Sequence, residues 1–331
     1  MFPSDTILGI FLTSEFCIAV IGNSFLFLSY VYIFLDQRYL KKPIDSIFMH
    51  LTMANILTTV FLLIPDIASS FGVRHFLNDA GCKAILYIYR VTRGLSICTT
   101  TFLSIFQAIT ISPSNSKWAW VKPKLSSWIF PSLFFSWVIN MFIYVHVIHL
   151  VIAKKNASFA GQGYVHAFCQ TREFKDEDSW PFFIVILTRD LLLVVLMMAT
   201  SLYMVNLLFR HHRRTQHVHS QSLSSQPSPE TKATHSILLL VSCFVFFYWL
   251  GNFITLYGFY TPEKIPRLEA INAILSSCYP TMCPFILMRN NKIVLARFSF
   301  PLGMNPVVEL QGPMINLSRN RCPFSISPPQ Q

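Results

Sequence analysis

Seven runs of predominantly apolar residues, each longer than twenty residues, divide this chain: Ile7–Leu35, Ile44–Phe71, Cys82–Ile111, Ser127–Ile152, Trp180–Phe209, Ala233–Tyr260 and Pro266–Met288. A helix needs roughly 20 mostly apolar residues to cross a hydrocarbon layer about 30 Å thick, so every run is long enough to span. Composition agrees, with 53% of the residues hydrophobic and 12% charged, where a soluble domain carries about 25% charged residues. The expected fold is an all-α membrane protein, a bundle of seven transmembrane helices. The third and seventh runs are the least apolar, carrying Arg90 and Arg93 and opening with Arg267 and Glu269 respectively. Without either of them the count becomes even and the loop charges lose their logic.

Those charges set the orientation, because short cytoplasmic loops are enriched in Lys and Arg. No basic residue precedes the first run, while Arg38, Lys41 and Lys42 follow it directly, which places the N-terminus outside. Counted from there, fifteen of the 26 Lys and Arg fall on the inner side, eight on the outer side and three within the membrane. The net charge of +11 is therefore a topology signal, and nucleic-acid binding is not needed to explain it. The N-terminus lacks a basic segment and its first apolar run is too long for a cleavable signal, so the first helix is expected to act as its own targeting signal. Residues 1–290 form the membrane domain and residues 291–331 a flexible cytoplasmic tail. The inner segment His211–Glu230, rich in Ser, Pro, Gln and His, is likewise expected to be flexible. Its histidines repeat no ligand spacing, and nothing in the chain calls for a metal or a cofactor.

Most cysteines (Cys17, Cys98, Cys243, Cys278 and Cys283) lie inside apolar runs, where a thiol packs as a small apolar group. Cys82 stands at the outer end of the third run and Cys169 in the second outer loop, both on the oxidising side. They are read as a disulfide that pins the loop over the bundle mouth, the alternative being two unpaired surface thiols. In the same loop Asn156-Ala157-Ser158 is a glycosylation acceptor, whereas Asn316-Leu317-Ser318 falls on the inner side and stays bare.

Charges inside the membrane are costly and usually mark function. Measured by helical rise from the outer ends, Glu15, Asp66, Arg90, Arg93, Arg189 and Asp190 fall in one layer with no net charge. Arg90 and Arg93 share a helix face, which predicts that Asp66 and Asp190 of neighbouring helices meet them. The layer either lines a ligand cavity or knits the helices together. Asp45 and Glu269 sit in first helical turns and complement the helix dipole. Pro65, Pro131, Pro280 and Pro284 are expected to kink their helices.

Seven spans with an outer N-terminus and a disulfide from helix three to a loop resemble a G-protein-coupled receptor. Three strings resemble the type 1 vomeronasal (pheromone) receptor family in particular: RVTRGLSICTTTFLSIFQAITISP from Arg90, SSQPSPETKATHSILLL from Ser224 and SSCYPTMCPFILM from Ser276. GNSFLF from Gly22, with Asn23 as the polar contact of helix one, and GYVHAFCQ around Cys169 extend the likeness over the whole chain. The Asp-Arg-Tyr latch of rhodopsin-like receptors is replaced by Ile105, Phe106 and Gln107, and the Asn-Pro-x-x-Tyr segment is absent near Tyr279-Pro280-Thr281.

The resemblance implies a plasma-membrane receptor that detects small chemosignals and couples to an inhibitory-type heterotrimeric G protein. Lys117, Lys122, Lys124, Arg210, Arg213 and Arg214 would face that G protein or anionic lipid, and Arg90, Arg93 or Arg189 would meet an anionic ligand. A bitter-taste receptor shares the layout but not the ATHSILLL entry to helix six. A transporter of small molecules would show related halves with broken helices, and an intramembrane enzyme would need a catalytic constellation such as H-E-x-x-H. None of these is present, and a non-enzymatic receptor is expected.

Overall fold

The helices begin and end on local signals. Helix α2 (Pro43–Ser70) opens with proline, whose missing N–H has no helical partner at that position, and the Asp45 carboxylate accepts the Lys42 backbone N–H at 2.8 Å. It closes at Gly72, whose φ of +81° allows Gly72 N–H to reach Ser69 O at 3.0 Å and Val73 N–H to reach Ala68 O at 3.1 Å. Glycine takes this left-handed terminal position without Cβ strain. Helix α3 (Asp79–Ile111) is capped by Asn78, whose side chain accepts from Gly81 N–H at 2.8 Å.

The computed structural model describes residues 3–36, 42–73, 77–146, 148, 151–153, 165–166, 169–171, 180–218, 229–260 and 268–289. Besides α2 and α3 these form α1 (Pro3–Leu35), α4 (Ile129–Tyr144), α5 (Trp180–Val218), α6 (Pro229–Tyr260) and α7 (Leu268–Met288). Asn156 and the tail 291–331 lie outside the described residues. Six of the seven helices are long and apolar enough to cross a membrane; α4, with 16 residues, is not.

Two boundaries differ from expectation. The fourth span is expected to run from Ser127 to Ile152; α4 ends at Tyr144, Ile148 is again helical, and the chain is in strand β1 at Val151. Its missing length comes from tighter turns at either end. A single helical turn, Lys122–Leu125, precedes it, and Ser126, Trp128 and Val145 all keep right-handed helical backbone angles. Bonds of three-residue spacing, such as Ser127 N–H to Lys124 O and Val145 N–H to Phe142 O, advance about 2 Å per residue, so the coil climbs further than its α-helical residues alone would. The fifth span was expected to end at Phe209, but α5 continues to Val218, adding about 14 Å of helix at 1.5 Å per residue. His211–Val218 is thus helix rather than flexible loop.

Three short antiparallel strands follow α4: β1 (Val151–Ala153), β2 (Val165–His166) and β3 (Cys169–Thr171), in the order β1-β3-β2. β1 packs against α3, and β3 is tied to α3 by the expected Cys82–Cys169 disulfide, Cα–Cα 5.6 Å.

Helix α3 is the axis of the bundle, touching α2, α4, α5 and α6, while α7 closes the ring against α1, α2 and α6. Its hydroxyl side chains Ser96, Thr99, Thr100, Thr101 and Ser104 are all buried. The outward surface is instead apolar, with Ile7, Ile21, Phe134, Phe142, Leu187 and Leu202 each more than half exposed. A soluble monomer rarely presents so continuous an apolar surface. Hydrocarbon is the medium that matches it, and the chain is a multi-pass membrane protein.

Candidate functional site

Helix α5 contributes two adjacent ionisable residues that close on each other. Arg189 donates to Asp190 Oδ1 from Nε at 2.8 Å and from Nη2 at 2.5 Å. Its remaining donors reach across to α4, Nη1 to Asn140 Oδ1 at 2.7 Å and Nη2 to the Tyr144 hydroxyl at 2.8 Å. The second Asp190 oxygen accepts from the Tyr248 hydroxyl of α6 at 2.6 Å. Both charges are thereby matched and most of their hydrogen-bonding capacity is used, which the low dielectric of the interior demands.

This arrangement corrects the expected pairing of Asp190 with the α3 arginines. Residues at successive helix positions point about 100° apart, but the arginine stem is long enough to fold across that angle, so Asp190 is taken by its own neighbour. Arg93 is left with softer partners. Its Nη1 donates to the Tyr89 hydroxyl at 3.1 Å, and its guanidinium lies 5.6 Å from the Tyr248 ring centroid, within cation–π range. Among the described residues no carboxylate lies within ion-pair distance of Arg93, so a cation with unspent donors remains.

Arg93 also borders a cavity of about 30 Å³ between α2, α3, α6 and α7, lined further by Thr58, Ser96, Phe244, Phe247, Tyr248, Leu275, Ser276, Tyr279 and Pro280. Of the six charged residues singled out in the sequence, Arg93 alone reaches this cavity. Arg189 and Asp190 stand one residue away through Tyr248. Glu15 is buried on α1 beside Ser277 and Cys278 of α7, and its Oε2 has no hydrogen-bond partner among the described residues. Asp66 and Arg90 are half-buried on α2 and α3, with the Arg90 guanidinium 5.9 Å from the Tyr89 ring centroid.

Sequence reasoning missed the tyrosines Tyr89, Tyr144 and Tyr248 and the amide of Asn140. The available signal for Asn140 was a lone amide in the apolar string WVINMF, because polar side chains in spanning helices tend to bond between helices. The same signal fits Asn23, whose expected contact is present: Nδ2 donates to Pro280 O at 2.8 Å, and Oδ1 lies 3.4 Å from Asn55 Nδ2. Asn55 in turn accepts from Ser96 Oγ at 2.9 Å, which joins α1, α2, α3 and α7 beneath the cavity. Beside this network Trp137 Nε1 donates to His50 Nε2 at 2.9 Å. That bond fixes the proton on Nδ1, which faces Thr99 Oγ1 at 2.9 Å.

The helix ends opposite the disulfide are joined by neutral groups. Gln107 Nε2 donates to Thr234 Oγ1 of α6 at 3.0 Å, both residues being buried. Ser112 Oγ lies 2.9 Å from the Tyr203 hydroxyl of α5. Of the basic residues expected on the inner side, Lys117, Lys124, Arg210 and Arg213 are exposed. Lys122 is half-buried and its ammonium donates to the Ser112 carbonyl at the end of α3. Arg214 lies on the C-terminal extension of α5.

Residues 6–299 match the model of a family described as "Vomeronasal organ pheromone receptor family". Vomeronasal type-1 receptor 101 of Rattus norvegicus is 32% identical over 306 residues, covering 91% of this chain and 96% of that protein. Vomeronasal type-1 receptor 4 of Homo sapiens is 33% identical over 287 residues, covering 87% and 95%. Olfactory receptor class A-like protein 1 of Danio rerio is 30% identical over 294 residues, covering 88% and 92%.

Proposed function

Because this chain belongs to the vomeronasal organ pheromone receptor family, whose members are chemosensory G-protein-coupled receptors, we propose that it detects small molecules at the outer half of the bundle and signals through an inhibitory-type heterotrimeric G protein. The observation that carries the ligand reading is Arg93: a guanidinium with donors to spare, on the wall of a cavity whose other lining is largely aromatic and aliphatic. An apolar body carrying a carboxylate or sulfate matches that combination, since charge-assisted hydrogen bonds to a guanidinium are strong and directional. Glu15, Asp66, Arg90, Arg189 and Asp190 then order the bundle around the cavity.

At about 30 Å³ the cavity is far below the roughly 300 Å³ that a small-molecule site usually offers. Ligand entry therefore requires the helices around it to separate, which makes binding and rearrangement one equilibrium: a ligand that fits the open arrangement better populates it. The basic extension of α5, with Arg210, Arg213 and Arg214, projects past the apolar span and is the proposed docking site for the G protein.

The proposed placement is the plasma membrane with the N-terminus and Asn156 extracellular. An epitope at residue 1 detected on intact cells, together with a mobility shift on enzymatic deglycosylation that Asn156→Gln abolishes, is the expected result. Ligand class is tested by expression with a promiscuous G-protein reporter and a panel of steroid-like compounds with and without anionic groups. Arg93→Gln, trafficked normally, should lose responses to the anionic compounds only; a full anionic response in that variant discards the role of Arg93.

A further inference from the structure

The connection between α3 and α4 is ordered and two-faced. Ser112 ends α3, and its carbonyl is held by the Lys122 ammonium while its hydroxyl meets Tyr203. Between these points the backbone folds through successive turns, Ser116 N–H to Pro113 O, Ala119 N–H to Ser116 O and Val121 N–H to Trp118 O, each 3.0 Å. The inward face buries Val121 and Leu125 in the same apolar core as Ile109 and Ile129. The outward face presents Trp118 at 47%, Trp120 at 65% and Trp128 at 46% exposure, flanked by exposed Lys117 and Lys124. No acidic residue occurs from Ser112 to Trp128.

Three exposed indoles on a pinned segment at the end of two spanning helices have one natural medium. Indole is an amphipathic ring that settles at the headgroup level of a bilayer, and lysine stems can lie along apolar surface while their ammonium groups stay in the polar layer. We propose that Ser112–Trp128 is a lipid-binding platform that lies in the headgroup region and selects anionic phospholipid through Lys117 and Lys124. This rests on the membrane reading and on the proposed inner placement of the segment, the side on which anionic lipids are concentrated. Lys122 has no part in lipid selection, because its charge is turned back onto the end of α3. The platform is separate from the α5 extension, which projects beyond the bilayer, so the basic inner residues divide into a lipid-facing and a G-protein-facing set.

The test uses the full chain in nanodiscs and reads the tryptophan fluorescence that disappears in the Trp118→Phe, Trp120→Phe double variant. Brominated phosphatidylserine, titrated into phosphatidylcholine discs, is expected to quench this component at a molar fraction well below that needed with brominated phosphatidylcholine, by roughly fivefold per lysine. Lys117→Gln with Lys124→Gln should equalise the two lipids and leave the quenching itself in place. Equal quenching by both lipids in the wild type overturns the selection, and emission untouched by either bromolipid but open to aqueous iodide overturns the platform. Normal lipid preference in the Gln variant, with nucleotide exchange on an added G protein reduced, assigns the face to the G protein instead. Both leaflets of a nanodisc hold the same lipid, so the quenching arms read independently of whether the chain signals.

Discussion

A Cβ on residue 94 would sit 1.9 Å from Asn140 Oδ1 and 2.9 Å from its amide carbon. Only glycine lets α4 bring that amide close enough to hold Arg189, so a residue with no side chain positions a charge on another helix. Gly94→Ala is expected to lower stability by about 1–3 kcal/mol, as overpacking of a filled site does, seen as a lower unfolding midpoint in detergent. Once Asn140→Ala has removed the obstacle, adding Gly94→Ala should cost less than about 0.5 kcal/mol more. A double variant that loses the sum of both effects would show that the two positions act separately. The charged layer was legible in the sequence because charge within an apolar run is conspicuous. Its wiring was not: whether Asp190 turns toward Arg93 or Arg189 depends on side-chain reach and on tyrosines that look apolar in any composition count.

Helix α7 shows the same division at the level of an element. Two prolines four residues apart are visible in SSCYPTMCPFILM, yet the helix runs unbroken from Leu268 to Met288. Pro284 has no N–H to give the carbonyl of Pro280, and Asn23 of α1 supplies the missing donor at 2.8 Å. Gly22 makes this approach possible, because a Cβ there would lie 3.0 Å from the Pro284 ring. Pro280 in the same way frees the carbonyl of Ser276, which borders the cavity. Asn23→Leu should therefore cost about 1–3 kcal/mol for the stranded carbonyl, and Pro284→Ala should recover most of that loss by restoring the helical bond. If Pro284→Ala gives no recovery, the carbonyl is not the source of the cost. Helix existence was readable throughout, since long apolar runs leave little choice in a bilayer. The α4 boundary was not, because turns of three-residue spacing and α-helix share one hydropathy pattern, and the helical extension of α5 was hidden by polar residues that suit either loop or solvated helix.

For the whole molecule, the bond between Gln107 and Thr234 is a contact at the end opposite the disulfide through which α3 holds α6, and it carries no charge. Breaking it with Gln107→Leu or Thr234→Val is expected to raise ligand-free nucleotide exchange on an inhibitory-type G protein several-fold at equal surface expression, since an average hydrogen bond contributes about 1 kcal/mol. Unchanged basal exchange in both variants would remove this bond from the resting state. At the opposite end the Cys82–Cys169 disulfide closes a loop of sequence separation 87, for which chain entropy gives about 4.6 kcal/mol. Cys169→Ser should destabilise by up to that amount and, by releasing β3 from α3, speed proteolysis of the connection between α4 and α5. The helix plan was legible in the apolar runs and the disulfide in two cysteines expected on the same side of the membrane, whereas the bond between Gln107 and Thr234 could not be foreseen, because glutamine opposite threonine has no recognisable signature until two distant helices are side by side.

The contact between Arg189 and Asp190 involves one helix only, so it can form before the other partners of the bundle have been made. A segment leaving the ribosome with both residues presents the translocon with a compensated ion couple instead of two separate charges. Its partition into lipid is then eased at the moment of synthesis, and the later arrival of Tyr248 on α6 completes a couple that is already neutral. Asp190→Leu with Leu191→Asp would keep the composition while setting the two groups about 200° apart around the axis, and membrane insertion of the isolated α5 segment, scored by glycosylation on either side, is expected to fall; unchanged insertion would show that early neutralisation does not matter.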